Sequence, residues 1–265
     1  MIHPAWGPGP GDITINDSVD GRPRVGWRPL RGTGELTVID PPDGVPNVFA
    51  AQWSRDGRFL LGVTLSPARG TELAAWSEAD GWTFLTDTPA INEAWPSLSP
   101  DGRWLAYIEL SASGTSEVFV RPFGREGAAE LVADARSVSP IWSPDGTELY
   151  FQSILEPDAD ADAATDTDDD EDDSEAAPRQ RWVMAVSIAE TPDGLDIGRP
   201  QRLFDATAMQ IMSPIGSWDV GPDGRFLMST KPTDEQFDAA IAEFFPQRIR
   251  VVQHWAAGLD AAAGP

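Results

Sequence analysis

The sequence predicts an all-β chain folded as a β-propeller of four-stranded antiparallel blades. Two observations lead there. A short hairpin motif recurs at a spacing that suits one blade, and turn formers are abundant, with 24 glycines and 24 prolines in 265 residues. Apolar residues make up 41 %, enough for a sizeable core, and eleven residues are tryptophan.

The motif is an apolar residue, two turn residues, Asp-Gly, and then a strand. It runs Trp53-Ser54-Arg55-Asp56-Gly57-Arg58-Phe59-Leu60, then Leu98-Ser99-Pro100-Asp101-Gly102-Arg103-Trp104-Leu105. It returns as Trp142-Ser143-Pro144-Asp145-Gly146-Thr147-Glu148-Leu149 and as Val220-Gly221-Pro222-Asp223-Gly224-Arg225-Phe226-Leu227, with a worn copy at Asp17–Gly21. The glycines are 36, 45, 44 and 78 residues apart, the last gap holding a long acidic insertion. A period near 45 matches one blade. Proline presets φ for a type I turn, and glycine takes the left-handed position that closes the hairpin. Trp53, Leu98, Trp142 and Val220 before each glycine, and Leu60, Leu105, Leu149 and Leu227 after it, are expected to pack one blade on the next. The motif aspartates and tryptophans therefore read as structural.

The layout follows. Residues 1–10 read as an N-terminal tail, and 11–256 as the propeller. Its blades fall roughly at 11–50, 51–91, 92–136, 137–207 and 216–256: about five, or an incomplete six-bladed ring. In the first, Pro23 is placed in the second strand and Glu35–Asp40 in the third, with Asp43-Gly44 turning into the fourth. Pro192-Asp193-Gly194 turns from a third strand, Arg181–Ile188, toward a fourth at Gln201–Phe204. Phe237, Ile241 and Phe244 have helical spacing and precede a strand at Arg248–Trp255. Residues 257–265 read as a C-terminal tail.

Residues 156–178 read as an acidic disordered insertion. Glu156–Glu175 carries twelve acids and no base, too little apolar surface to order itself. Asp158, Asp160 and Asp162 alternate, but neither the glycine nor the twelfth-position glutamate of a calcium loop follows.

Charge and composition exclude several functions. The net charge is −24, from 43 acids against 19 bases, of which only Lys231 is lysine. Without the insertion it is still −12. A nucleic-acid partner is not expected, since phosphate binding needs a basic face. An acid excess with scarce lysine suits a salt-rich cytoplasm, where screening offsets self-repulsion; a GC-rich genome that favours arginine codons is the alternative. The absence of cysteine excludes disulfides and thiolate sites. Neither a basic, apolar leader nor a spanning apolar run is present, so membrane insertion is not expected and the chain as written reads as cytoplasmic, or extracytoplasmic if it belongs to a larger anchored protein.

No catalytic, cofactor-binding or metal-ligating residue is assigned. No Gly-x-Ser-x-Gly elbow, phosphate loop or kinase signature occurs. The two histidines are His3, in the tail, and His254, in an apolar strand, which argues against a histidine-dependent triad or a multi-histidine metal site.

The Ser-Pro-Asp-Gly-Arg hairpins resemble the TolB-like, WD-repeat-like propellers of bacteria over residues 48–256, and more weakly over 11–47. Glu117–Phe123, Gly198–Phe204, Asp219–Met228 and Arg248–Trp255, in that order, look like the end of the propeller that follows the kinase domain in many bacterial serine/threonine protein kinases. That resemblance implies a sensor or docking domain and no kinase activity, because the kinase domain is absent. The expected function is a non-catalytic binding module for a protein or peptide partner, without a cofactor, and a homo-oligomer if the ring is open. The alternatives are an accessory domain of a sensor kinase or of a prolyl-oligopeptidase-like peptidase, and, further off, a hydrolase or lactonase centred on the channel.

Overall fold

The computed structural model describes residues 5–9, 11–19, 22–31, 34–86, 91–112, 114–134, 136–155, 180–192, 194–207 and 218–228. The helix expected around Phe237–Phe244, the strand Arg248–Trp255, both histidines, the acidic insertion and the C-terminal tail lie outside them. Five antiparallel sheets follow in chain order. The first holds β1 (Ala5–Trp6), β2 (Asp12–Val19), β3 (Arg22–Pro29) and β4 (Thr37–Ile39). The second holds β5 (Asn47–Trp53), β6 (Leu60–Ser66), β7 (Gly70–Ser77) and β8 (Gly81–Phe84). The third holds β9 (Asn92–Leu98), β10 (Trp104–Leu110), β11 (Ser116–Pro122) and β12 (Glu130–Ala133). The fourth holds β13 (Ser137–Trp142), β14 (Glu148–Leu155), β15 (Gln180–Thr191), β16 (Gly194–Ile197) and β17 (Gln201–Asp205). In the fifth, β18 (Trp218–Val220) pairs with β19 (Phe226–Met228). The chain is an all-β propeller. First strands touch in succession, β1 to β5 to β9 to β13 to β18, which puts them innermost and the fourth strands at the rim.

The first blade departs from the sequence reading by one strand. Ala5–Trp6, expected in a tail, pairs with Ile13 and Thr14 as the innermost strand. Its hairpin is closed by Pro8, Gly9 and Gly11 rather than by Asp20-Gly21: Gly7 donates to the Asp12 carbonyl, and Gly11 takes φ +84°. Residues 20 and 21 fall between β2 and β3. Pro23 thus lies in the third strand and Thr37–Ile39 is the fourth, so Asp43-Gly44 leads into the second blade, whose β5 begins at Asn47. The reason is local. Two turn-forming sequences, Pro8-Gly9-Pro10-Gly11 and Asp20-Gly21, lie one strand apart in the chain, and by composition either can close a hairpin. In the fourth blade, β16 extends only the far end of β15, and β17 serves as the fourth strand.

Each interface between blades is a core. Val25, Ile39, Trp53 and Leu60 pack between the first and second blades; Leu61, Val63, Leu73, Leu98, Leu105 and Tyr107 pack between the second and third. Trp104, Ile108, Trp142, Leu149 and Phe151 pack between the third and fourth. Of the motif leucines, Leu60, Leu105 and Leu149 are buried as expected, but Leu227 is 74 % exposed. Phe226 and Met228 turn toward the fourth blade, so the alternation of the strand aims Leu227 outward, where no described residue covers it. Trp6, opposite Ile13 on the outer flank of the first blade, is likewise 70 % exposed.

Indole donors stitch the blades together. Trp53 Nε1 donates to Thr14 Oγ1 at 2.7 Å, Trp142 Nε1 to the Ser97 carbonyl at 3.1 Å, and Trp218 Nε1 to the Ser139 carbonyl at 3.1 Å. Leu98 has no such donor, and there the bond comes from its backbone: Leu98 N donates to Gln52 Oε1 at 2.8 Å. The innermost strands of the third and fourth blades bulge six residues before the motif aspartate, with Trp95 at φ +50° and Ser139 at +54°. Pro96 and Pro140 follow these residues, and a bulge tolerates their missing amide hydrogens.

Candidate binding face

Antiparallel pairing puts the motif hairpins and the turns from third to fourth strand at one end of the propeller. The turns Ser66–Gly70 and Leu110–Ser116 lie at the other end, as does the point between β14 and β15 where the acidic insertion belongs.

At the hairpin end the motif residues are consumed by their own turn. Ser54 Oγ donates to Asp56 Oδ1 at 2.6 Å and accepts from Phe59 N at 2.9 Å; Arg58 N donates to the same carboxylate oxygen, and Gly57 N closes the turn on the Ser54 carbonyl. Gly57 is at φ +70°, where a side chain would be strained. The hairpins at Ser99 and Ser143 repeat the pattern. The Ser54 hydroxyl, and then the Arg58 amide, hold Asp56 below the usual carboxylate range; Ser143 and Thr147 do the same for Asp145, and Arg225 for Asp223. These aspartates are turn caps.

A cleft of about 380 Å³ opens between the second and third hairpins, lined by Arg55, Arg58, Phe59, Leu98, Pro100 and Phe123 among others. Phe59 and Phe123 meet edge to face at 5.3 Å, and the Arg58 guanidinium lies 5.5 Å from the Phe59 ring centre. Neighbouring interfaces are filled at this level. A Cβ at Gly57 would fall 2.6 Å from the Pro8 carbonyl oxygen, and one at Gly146 would fall 3.4 Å from the Pro100 ring. At Gly102 nothing lies within 4 Å, and Arg55 stands where Pro100 and Pro144 stand in the next two hairpins. Gly224 is open too, on the fifth sheet, where two strands are described. Sequence reading assigned no residue to this cleft. Its one readable signal was arginine in place of proline in a single copy of the motif.

Other polar clusters belong to the fold. Glu190, near the end of β15, accepts from Arg103 Nη1 and from Trp104 Nε1, each at 2.6 Å, and Arg125 caps the Trp104 ring at 4.7 Å. At the opposite end, buried Glu72 takes a bidentate pair from Arg69 at 2.6 and 2.7 Å, and buried Glu93 accepts from Thr86 Oγ1 and Leu73 N. Burial, then the charge on Glu109, pushes Tyr107 up; burial, then the hydrogen bond to Glu148, lifts Tyr150 to about 12. Neither phenol is a base at neutral pH. Among the described residues, no three of His, Cys, Asp and Glu converge on a metal position, and no helix is long and apolar enough to cross a membrane.

No protein-family profile and no curated protein matches the chain. Solved structures do. A putative TolB from Agrobacterium tumefaciens superposes with a TM-score of 0.59 at 20 % identity, over 88 % of this chain and 76 % of that one. The fold is a TolB-like β-propeller. The chain also superposes on the tricorn protease, with a TM-score of 0.53 at 16 % identity, over 92 % of this chain but only 24 % of that protein. The β-propeller domain of the Trilobed protease from Pyrococcus furiosus, described as having an open velcro topology, gives 0.51 at 11 % identity over 89 % of this chain and 66 % of that one. Identities this low establish the fold and nothing finer.

Proposed function

We propose that this TolB-like propeller is a non-catalytic module that binds a protein or peptide at its hairpin end. The observation that carries this reading is the cleft between the second and third hairpins, with two arginines and two aromatic rings at its rim. The acids around it are occupied as turn caps rather than poised for proton transfer. Recovery of a partner from source-cell extract at low and high salt tests the reading. Phe123→Ser, at the hairpin end, abolishes recovery; Leu65→Ser, an exposed change at the opposite end, leaves it intact. Finding no specific partner, or one sensitive to Leu65→Ser alone, sinks the proposal.

One observation favours a second reading, an accessory propeller of a larger enzyme. The chain aligns along 92 % of its length with the tricorn protease yet spans a quarter of that protein. The resemblance of Glu117–Phe123, Gly198–Phe204, Asp219–Met228 and Arg248–Trp255, in that order, to a kinase-attached propeller favours a sensor kinase as the host, and a prolyl-oligopeptidase-like peptidase is the other. An immunoblot of source cells separates the two readings. A band near 28.6 kDa fits a free-standing module, and a much larger one fits an accessory domain.

A further inference from the structure

We infer that the cleft between the second and third hairpins takes an acidic peptide segment of a partner protein, its carboxylates held by Arg55 and Arg58 and a neighbouring apolar side chain seated on Phe59 and Phe123. This rests on the binding-module reading and names the partner's chemistry.

The case comes from comparing copies of one motif. Three of the four clear motif hairpins carry arginine directly after Asp-Gly. Arg103 is paired with Glu190 at 2.6 Å and Arg225 with Asp223 at 2.5 Å. Arg58 has no carboxylate within ion-pair distance among the described residues; its guanidinium rests on the Phe59 ring. Arg55 likewise makes no ion pair there, although acids outnumber bases 43 to 19 in the chain. Asp56 lies beyond ion-pair distance of the Arg58 guanidinium, although it feels that charge, and its Oδ1 is taken by Ser54 Oγ and Arg58 N. Asp101 Oδ1 is taken by Ser99 Oγ and Arg103 N, and its Oδ2 lies 3.9 Å from Arg103 Nη1. Two planar donor forks, each able to hold a carboxylate through two parallel bonds, thus flank one opening. Its floor is apolar, with buried Leu98 and the edge-to-face pair Phe59–Phe123. Opposite the arginines, Gly102 leaves the backbone uncovered, so an extended chain can approach. A phosphate would satisfy the forks but not the aromatic floor; a basic peptide would satisfy neither fork. The net charge of −24 disfavours acidic ligands, but at physiological ionic strength charges farther off than the screening length of about 8 Å are largely screened, so binding depends on contact inside the cleft.

The test uses the full chain and fluorescence anisotropy with a labelled synthetic peptide, Asp-Glu-Phe-Asp-Asp-Phe-Glu. The comparators are the same peptide with every carboxylate replaced by its amide, and inorganic phosphate as competitor. Arg55→Pro restores the residue of the other hairpins, at a turn position that proline suits, and is combined with Arg58→Gln. The acidic peptide binds saturably, and the double variant, with an unchanged melting temperature or a higher one, binds at least about tenfold more weakly. Arg225→Gln, at a hairpin whose arginine already has its acid, binds as the parent does. Equal affinity in the double variant, equal binding of the amide peptide, no saturation, or full displacement by phosphate in preference to peptide overturns the assignment. None of these outcomes touches the broader binding-module reading, which stands or falls on partner recovery with Phe123→Ser.

Discussion

Trp142 on β13 donates its indole N–H to the carbonyl oxygen of Ser97 on β9, a buried 3.1 Å bond between the innermost strands of adjacent blades. The ring belongs to the core on which the third and fourth blades pack, so one residue supplies both the apolar area and the polar tie between two sheets.

Trp142→Phe keeps most of the ring and removes the donor. The Ser97 carbonyl loses a buried partner, which costs about 1–3 kcal/mol. Urea denaturation of the variant measures the loss; an unchanged midpoint would mean that the bond contributes nothing net.

Gln152 is fully buried on β14, on the flank of the fifth sheet, and among the described residues neither its amide nitrogen nor its amide oxygen has a partner. Val63 and Ile108 hold the same place in the second and third blades. Gln152→Leu removes the unsatisfied polar atoms and keeps the volume, so stability rises by about 1–2 kcal/mol. A fall in the denaturation midpoint would show that the amide has a partner in solution.

Leu60 and Leu227 occupy one motif position with opposite burial, 0 % and 74 % exposed. Leu60→Ala leaves a cavity between the first two blades and costs about 2–5 kcal/mol. Leu227→Ala stays within about 0.5 kcal/mol. Paired thermal melts check both; a large loss at Leu227 would mean that its flank is covered in solution.

Acid destabilises the hairpins. The folded-state values of Asp56 and Asp145 lie below the ordinary 3.8 because hydroxyl and amide donors favour the charged carboxylate. Stability from these turns is complete above that value and is lost as pH falls through the lower folded-state values. Asp145→Asn flattens the acid limb of a stability-against-pH curve measured by urea denaturation; a curve that keeps its parent slope would remove Asp145 as a contributor. At the alkaline end, Tyr150, raised to about 12 by burial, contributes stability below about pH 10 that disappears as pH climbs toward 12.

The hairpins were legible in the sequence because everything that makes them is local. Ser143, Pro144, Asp145 and Gly146 contain both the donor and the acceptor of their own turn, and their near-constant spacing reports the blade. The same locality misplaces the first blade, where two segments of turn-forming composition compete and only strand pairing decides between them. Ala5–Trp6 joins the sheet because Ile13 and Thr14 stand opposite, which no window of residues 1–10 contains. Glu190 gave no signal, since its partners Arg103 and Trp104 lie 87 and 86 residues away.

The sequence by itself determined the repeat, the four-stranded blade and the structural role of the motif aspartates, since turn geometry and side-chain capping are set within six or seven neighbouring residues. Only the tertiary structure decided which copies are fully covered and which leave a cleft. Whether Arg55 faces open space depends on what Gly102, in the next hairpin, brings against it, and whether Leu227 is core depends on what lies beyond its sheet. Both are contacts between surfaces, and a surface meets its neighbour only after the blades have packed.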